Sequence, residues 1–455
     1  MVTRVTDSPQ SQPYFCLKHK AVRILASIVS LLLITSASIA QETRTLSKQE
    51  LLQEVMENGN LLKIKAEEVK EAKGDLNQAN AVYLPSITAS YTGSTTTNPL
   101  MAFGSKLNQE VLTASDFDPQ LLNDPLRTDN FATKLEIRQP LINVDGIFQR
   151  KAAKSKYEAT QYQAERTREY LELQVEEKYM QLQLSYKMVE VMERSKTASE
   201  ENLRIAKNSF DQGLLQRSDL LAAEVQVMEM ENRLRYAQSN VKNISGMLSV
   251  MMNDESNEVF QPSDELQPEN EVVAMDSISS ERADIQAMRA ATAAYEQQYR
   301  SDKMSFLPRL NAFGSYELYD NEFLQADANG YMVGAQLSWD LFDGNKRIAK
   351  TGKSKAAFER SNLEYKQYLA ESKLELEKAY RMLNDASNEL SLSEKALEQY
   401  EESLRIRKNR FKEGLERTSE LLFAEAKFAE KQLDYHQTVF QYNYALAYVR
   451  FLTKK

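Results

Sequence analysis

Side chains able to do chemistry are scarce in this sequence, and their spacing offers little catalysis. The 455 residues include one cysteine, Cys16, and two histidines, His19 and His436. A lone cysteine builds no disulfide framework, and two distant histidines fall short of a zinc ligand set. No paired carboxylates at acid–base spacing, Ser-His-Asp set or phosphate-cradling glycine loop is present, so an enzyme is the weakest of the function classes and no cofactor is expected. His436 stands among Tyr435, Phe440, Tyr442 and Tyr444, a helical aromatic stretch that suits packing. Asp145-Gly146 and Asp343-Gly344 each precede a long helix and read as turns. Glu420 falls in the first turn of a helix, where a carboxylate is favourable against the helix dipole.

The elements that position these residues follow from composition and periodicity. With 42% apolar and 27% charged residues and 13 glycines, the chain is neither disordered nor collagen-like. Arg4, Lys18, Lys20 and Arg23 precede an apolar run from Ile24 to Ile39, and Ser38-Ile39-Ala40 offers a cleavage site, the pattern of an exported protein. The run has 16 residues, short of the roughly 20 that a spanning helix needs. Without residues 1–40 the formal charge moves from −9 to −12, because four basic residues and one acidic residue are lost. Nucleic acid is therefore a poor partner.

An internal repeat organises the rest. Lys207 to Leu214, leading into Ser218-Asp219-Leu220-Leu221-Ala222-Ala223-Glu224, returns 201 positions later as Lys408 to Leu415, leading into Ser419-Glu420-Leu421-Leu422-Phe423-Ala424-Glu425. Leu84-Pro85 with Ile87, Ala89 and Tyr91 matches Leu307-Pro308 with Leu310, Ala312 and Tyr316, and Gln139-Pro140-Leu141 with Asp145-Gly146 matches Trp339-Asp340-Leu341 with Asp343-Gly344. A seam between about Met251 and Asp276 divides the two halves.

Each half predicts a helix, a strand pair around a polar loop, a very long helix, a glycine turn and a returning helix. Helices are expected over Ser47–Ala81, Ile147–Asp211, Ser218–Leu248, Ser279–Asp302, Asn345–Lys412 and Thr418–Leu452. At ~1.5 Å per residue the two longest run roughly 100 Å. Leu369, Leu376, Leu383, Leu390, Leu397 and Leu404 repeat every seven residues beside Ser372, Ala379, Ala386 and Ser393, a coiled-coil register. Gly213 and Gly414 suit left-handed helix ends, with Ser218 or Asp219 and Thr418 or Ser419 as caps of the next helix. The strands alternate greasy and polar faces, as in Ile87, Ala89, Tyr91 against Ser86, Thr88, Ser90. Four such strands cannot close a membrane wall; two copies give eight and three give twelve. Tyr83, Phe131, Tyr316, Tyr331 and Trp339 lie where an interfacial belt would sit, although a soluble sheet cap on a helical stalk fits the local pattern too.

The ordered, duplicated set of Leu-Pro strand, Pro-Leu strand with Asp-Gly, long helix, Phe-x-x-Gly-Leu turn and Leu-Leu-x-Ala-Glu helix resembles the outer membrane efflux proteins of the TolC family over essentially the whole mature chain. The resemblance implies a membrane β-barrel joined to a long α-helical barrel, each chain giving four strands, completed as a homotrimer. It implies an exit duct in outer membrane lipid, joined by a periplasmic adaptor to an inner-membrane transporter for efflux or type I secretion. The corresponding divisions are a signal peptide (1–40), a periplasmic helix (41–82), a strand pair with extracellular loop (83–140), a helical hairpin (141–250), a linker (251–276), a periplasmic helix (277–303), a second strand pair (304–342), and a second hairpin with the C-terminus (343–455). Gly213, Leu214, Ser218, Gly414 and Leu415 become adaptor-docking candidates. Glu420 falls at the first of two family gate positions and Phe423 at the second, where an aspartate would stand. Glu416 replaces a basic residue that locks the closed tip, with Arg417 beside it as a substitute.

The rival reading is a non-conducting periplasmic coiled coil that tethers layers. A channel predicts a mature protein that needs detergent and runs on gels as a heat-modifiable oligomer. Detergent-free solubility and a heat-insensitive band would favour the tether.

Overall fold

The computed structural model describes residues 43–256, 258–270 and 277–454. Cys16, His19 and the signal segment lie outside the described residues. In chain order the elements are β1 (Thr43–Leu46), α1 (Lys48–Asn58), α2 (Asn60–Ala79), β2 (Ser86–Thr96), α3 (Pro99–Asn108), α4 (Pro119–Asn123), β3 (Thr128–Ile142), α5 (Val144–Asp211), α6 (Arg217–Met252), β4 (Val259–Pro262), α7 (Ala283–Met304), β5 (Arg309–Asp320), β6 (Ala328–Ser338), α8 (Lys346–Lys412) and α9 (Thr418–Thr453).

Two helices dominate, α5 with 68 residues and α8 with 67. Helix α5 is the central rod: α2 and α6 pack along it, as do α7 and α9, and α8 packs in turn on α7 and α9. Short helices thus stack in pairs beside each long one, and α8 has no long neighbour on its far side. The seven-residue register of α8 is real, but the tightest seam runs through its small members. Ser372, Ala379, Ala386 and Ser393 are buried with Leu376, whereas Leu383 and Leu390 are half-buried. Small side chains allow the close approach that the seam needs, and the leucines flank it.

The expected single helix from Ser47 to Ala81 is broken at Gly59, which ends α1 and begins α2. A Cβ there would lie 2.4 Å from the Val55 carbonyl oxygen, so the close backbone approach admits only glycine. The break seats α1 in the core of the molecule, where Leu51 and Val55 join Leu46, Val175, Tyr179, Leu182, Leu248 and Phe260. A parallel pair, β1 with β4, closes this core, and neither strand was expected. Both have only four residues, and β4 ends in Pro262, which reads as a breaker in sequence but suits the last position of an edge strand.

The four other strands form one antiparallel sheet in the order β2-β3-β5-β6. Cross-strand partners share a face. Ile87, Ala89, Tyr91, Leu135, Ile137, Tyr316, Leu318, Tyr331 and Val333 therefore lie on one side. The other side carries a ladder of charge: Arg138 pairs with Glu136, Lys134 reaches Glu136 (3.3 Å) and Glu317 (3.1 Å), and the Tyr319 hydroxyl donates to Glu317. The polar segment between β2 and β3 holds the helices α3 and α4, and Gln109 ties it to the rim by donating to the Asp129 and Asp320 carbonyls. Among the described residues no helix is long and apolar enough to cross a membrane.

Where α7 begins and α9 ends, a buried ionic cluster joins four helices. Arg282, 1% exposed, donates to Asp284 through two nitrogens (2.7 and 2.8 Å), to Ser372 Oγ (3.0 Å) and to the Leu452 carbonyl (3.2 Å). Arg166 of α5 lies 3.6 Å from the Phe451 ring centre and pairs with Glu169 at 2.8 Å. Burial opposes ionisation of Asp284, but the Arg282, Tyr368 and Arg166 contacts outweigh it and hold its carboxyl below the ordinary value. Arg282→Ala leaves Asp284 with a weakened buried pairing and should cost about 3 kcal/mol, read as a lower urea midpoint of the helical signal. The exposed pair of Lys70 and Glu67 is the contrast: Lys70→Ala should change stability by at most about 0.5 kcal/mol.

Candidate functional site

The two glycine turns lie at the free ends of the helical hairpins, and both close by the same hydrogen-bond pattern. Gly213 (φ +75°) donates to the Phe210 carbonyl (2.8 Å) and Leu214 to the Ser209 carbonyl (2.9 Å). Gly414 (φ +73°) donates to Phe411 (3.0 Å) and Leu415 to Arg410 (2.9 Å). The left-handed residue lets the chain leave the helix while its last carbonyls stay paired. Leu214 and Leu415 are 76% and 69% exposed, so neither covers the end of its own hairpin.

The returning helices start earlier than their hydroxyl and carboxyl residues suggest. Gln216 and Arg417 occupy the N-cap positions without a side-chain cap, and Ser218, Asp219, Thr418 and Ser419 already lie inside the first turns. The Arg417 carbonyl accepts from the Glu420 and Leu421 backbone N–H groups (3.1 and 3.2 Å).

The turns differ in electrostatics. At the second, Arg407 bridges Glu416 (3.3 Å) and Glu420 (3.0 Å), and Arg410 also pairs with Glu416 (3.2 Å). Glu416 thus takes its counter-charges from α8, nine and six residues back along the chain, and its side chain is only 12% exposed. The Glu420 side chain is half exposed, and Phe423, one turn further along α9, is 60% exposed. Glu420 and Phe423 share a face of α9, and Glu416 and Arg417 sit at its entrance. A charged and an apolar side chain are offered together, in the geometry of a contact surface or a constriction.

Sequence reasoning missed four members of this region: Arg407, Arg410, Glu425 and Asn202. Glu425 closes the repeated Leu-Leu-x-Ala-Glu motif, yet its counterpart Glu224 is exposed. Glu425 points into the α5–α9 seam, where Asn202 donates to it. The repeat signals the position, and only the packing separates the half-buried copy from the solvated one. Among the described residues no cluster of three or more metal-ligating side chains converges.

The model of the family described as "Outer membrane efflux protein" matches residues 51–253 and 274–453. The chain belongs to that family. It is thus an efflux duct of the outer membrane, the exit of a tripartite efflux or secretion system, and its work is transport in place of catalysis. No curated protein sequence matches it. Solved structures share the fold at low identity. The CmeC outer membrane channel of Campylobacter jejuni is 16% identical with a TM-score of 0.76, over 89% of this chain and 85% of that one. VceC of Vibrio cholerae is 16% identical with a TM-score of 0.75, over 89% and 96%. The open state of the Neisseria gonorrhoeae MtrE channel is 15% identical with a TM-score of 0.74, over 89% and 88%.

The left-handed glycines of this efflux protein yield a direct expectation. Gly414→Ala forces a Cβ into the left-handed region at a cost of about 1–2 kcal/mol. The cost falls on the turn, so amide exchange should accelerate from Phe411 to Leu421 while the α1 core around Leu51 keeps its protection.

Proposed function

We propose that three copies of this chain assemble into a closed outer-membrane barrel and a continuous helical tube, and that the duct opens at the α8–α9 tips. The observation that carries the proposal is the sheet with two open edges. Among the described residues strands β2 and β6 have no outer partner, and the sheet's one apolar face suits lipid. In hydrocarbon each unpaired N–H or C=O costs several kcal/mol, about the loss of a full hydrogen bond without water. Because the four strands alternate in direction, β6 of one copy meets β2 of the next antiparallel, and three copies give twelve strands with room for a bore. The strand pairs at 83–140 and 304–342 form the wall, and the charge ladder from Arg138 to Glu317 lines the inside.

The helices support the same closure. Leu363, Leu374, Leu392 and Ile406 on α8 are exposed, as are Leu221, Val225, Met228 and Val250 on α6, so both outer edges of the helical layer are apolar. Unlike edges that meet head to tail close a ring. Gly213, Leu214, Ser218, Gly414 and Leu415 then stand at the periplasmic end, where exposed leucines beside fixed turns suit a periplasmic adaptor that links the duct to an inner-membrane transporter. Glu420 and Phe423 narrow the tip as stacked rings, and adaptor binding favours the open form. Glu416, held by Arg407 and Arg410, and Arg417 at the α9 start fix where those rings sit.

Planar-bilayer recordings test the gate. Glu420→Ala with Phe423→Ala should raise single-channel conductance several-fold, since both an apolar and a charged barrier are removed. Conductance equal to that of the unmodified protein would place the constriction elsewhere.

A further inference from the structure

Glu425 lies five residues along α9 from Glu420, on the side turned toward α5. Its Oε2 accepts from the Asn202 amide, while its Oε1 is sealed from water with no hydrogen-bond partner among the described residues. Asn202 is 4% exposed, and small or apolar residues surround this level of the seam: Ser199 and Ala206 of α5 and Leu421, Ala424 and Ala429 of α9 are all buried. The charge that faces the carboxyl is Lys408 of α8, which also acts on Glu201 of α5 and is therefore shared. An ionised carboxylate with one bare oxygen is costly in such a place, and a neutral carboxyl costs far less.

We propose that Glu425 and Asn202 form a proton-operated latch: the α5–α9 seam closes with Glu425 protonated and loosens as the carboxyl ionises. On opening, the Glu425 hydroxyl gives its proton to water, and each chain releases one proton. The proposal rests on the tip-opening reading above and adds the variable that biases it.

Burial raises the Glu425 pKa above its ordinary value, against the smaller opposing effects of Lys408 and the Asn202 hydrogen bond. The sign follows. The closed seam is fully favoured below the ordinary carboxylate range, and that advantage is lost as pH rises through the elevated closed-state value. A second half-buried group stands three turns further along α9: His436, whose Nδ1 lacks a partner among the described residues and whose pKa is lowered, first by burial and then by Lys187, while Glu190 and Glu265 act the other way. Its protonation at low pH would disturb the same seam with the opposite sign, so the two groups are separable by variant.

The test uses the mature trimer in planar bilayers from pH 4.5 to 8.5. In the unmodified protein and in His436→Gln, the open fraction should rise with pH by up to about tenfold per unit for each proton released. Glu425→Gln, which mimics the protonated form, should stay closed with a flat profile. Asn202→Ala removes a donor to the ionised form and should shift the rise to higher pH. A Glu425→Gln profile that matches the unmodified protein would overturn the latch. Amide exchange along Leu421–Ala429, corrected for intrinsic rate, reads the seam without current: protection should fall with pH in the unmodified protein and not in Glu425→Gln, and pH-independent protection in both would also overturn it. Absence of current from every variant, with the exchange response intact, would instead reject the tip-opening reading and leave the seam latch standing.

Discussion

A sheet that ends in two unpaired strands is the constraint from which the rest of the molecule follows. Among the described residues, strands β2 and β6 each have a strand partner on one side only, which leaves a row of backbone groups outside the ladder. Water can satisfy them on a soluble protein, but the apolar face formed by Ile87, Leu135, Ile137, Tyr316 and Val333 suits lipid, where no water is available. In the proposed assembly other copies complete the wall, and the helical layer below takes the symmetry that the sheet imposes. The long helices of 68 and 67 residues run through the layer, α5 with α2, α6, α7 and α9 packed along it and α8 with α7 and α9.

Much of this plan is written in the sequence because it is repeated there. The period of the apolar residues distinguishes helix from strand, and the two copies of each motif fix the order of elements. What escaped is what depends on single contacts. Gly59 divides a helix whose composition looks continuous, because the decisive fact is the nearness of the Val55 carbonyl. Strands β1 and β4 are too short to show alternation, and they exist because they seal the core around Tyr179 and Phe260. The helix caps moved to Gln216 and Arg417 because the glycine turns hand the chain straight into the next helix, leaving Ser218 and Ser419 inside it.

The candidate site was legible as a pair of turns and only partly as an electrostatic object. Glu420 and Phe423 stand out by position, but the partners of Glu416 come from Arg407 and Arg410 in the preceding helix, and no local pattern joins them. The same duplication that made the turns visible hides their difference. Glu224 and Glu425 occupy equivalent places, one in solvent and the other inside the seam beside Asn202.

The ladder on the polar side of the sheet bears on what such a conduit admits. Arg138, Glu136, Lys134 and Glu317 alternate in sign over neighbouring strands, so the field of each is cancelled within a few ångströms by the next. In the proposed barrel that side faces the bore, and a passage papered with opposed charges is wettable yet nearly neutral at the distance of a hydrated solute, giving neither anions nor cations a deep well in which to linger. Discrimination between cargoes is thereby left to whatever loads the duct from below.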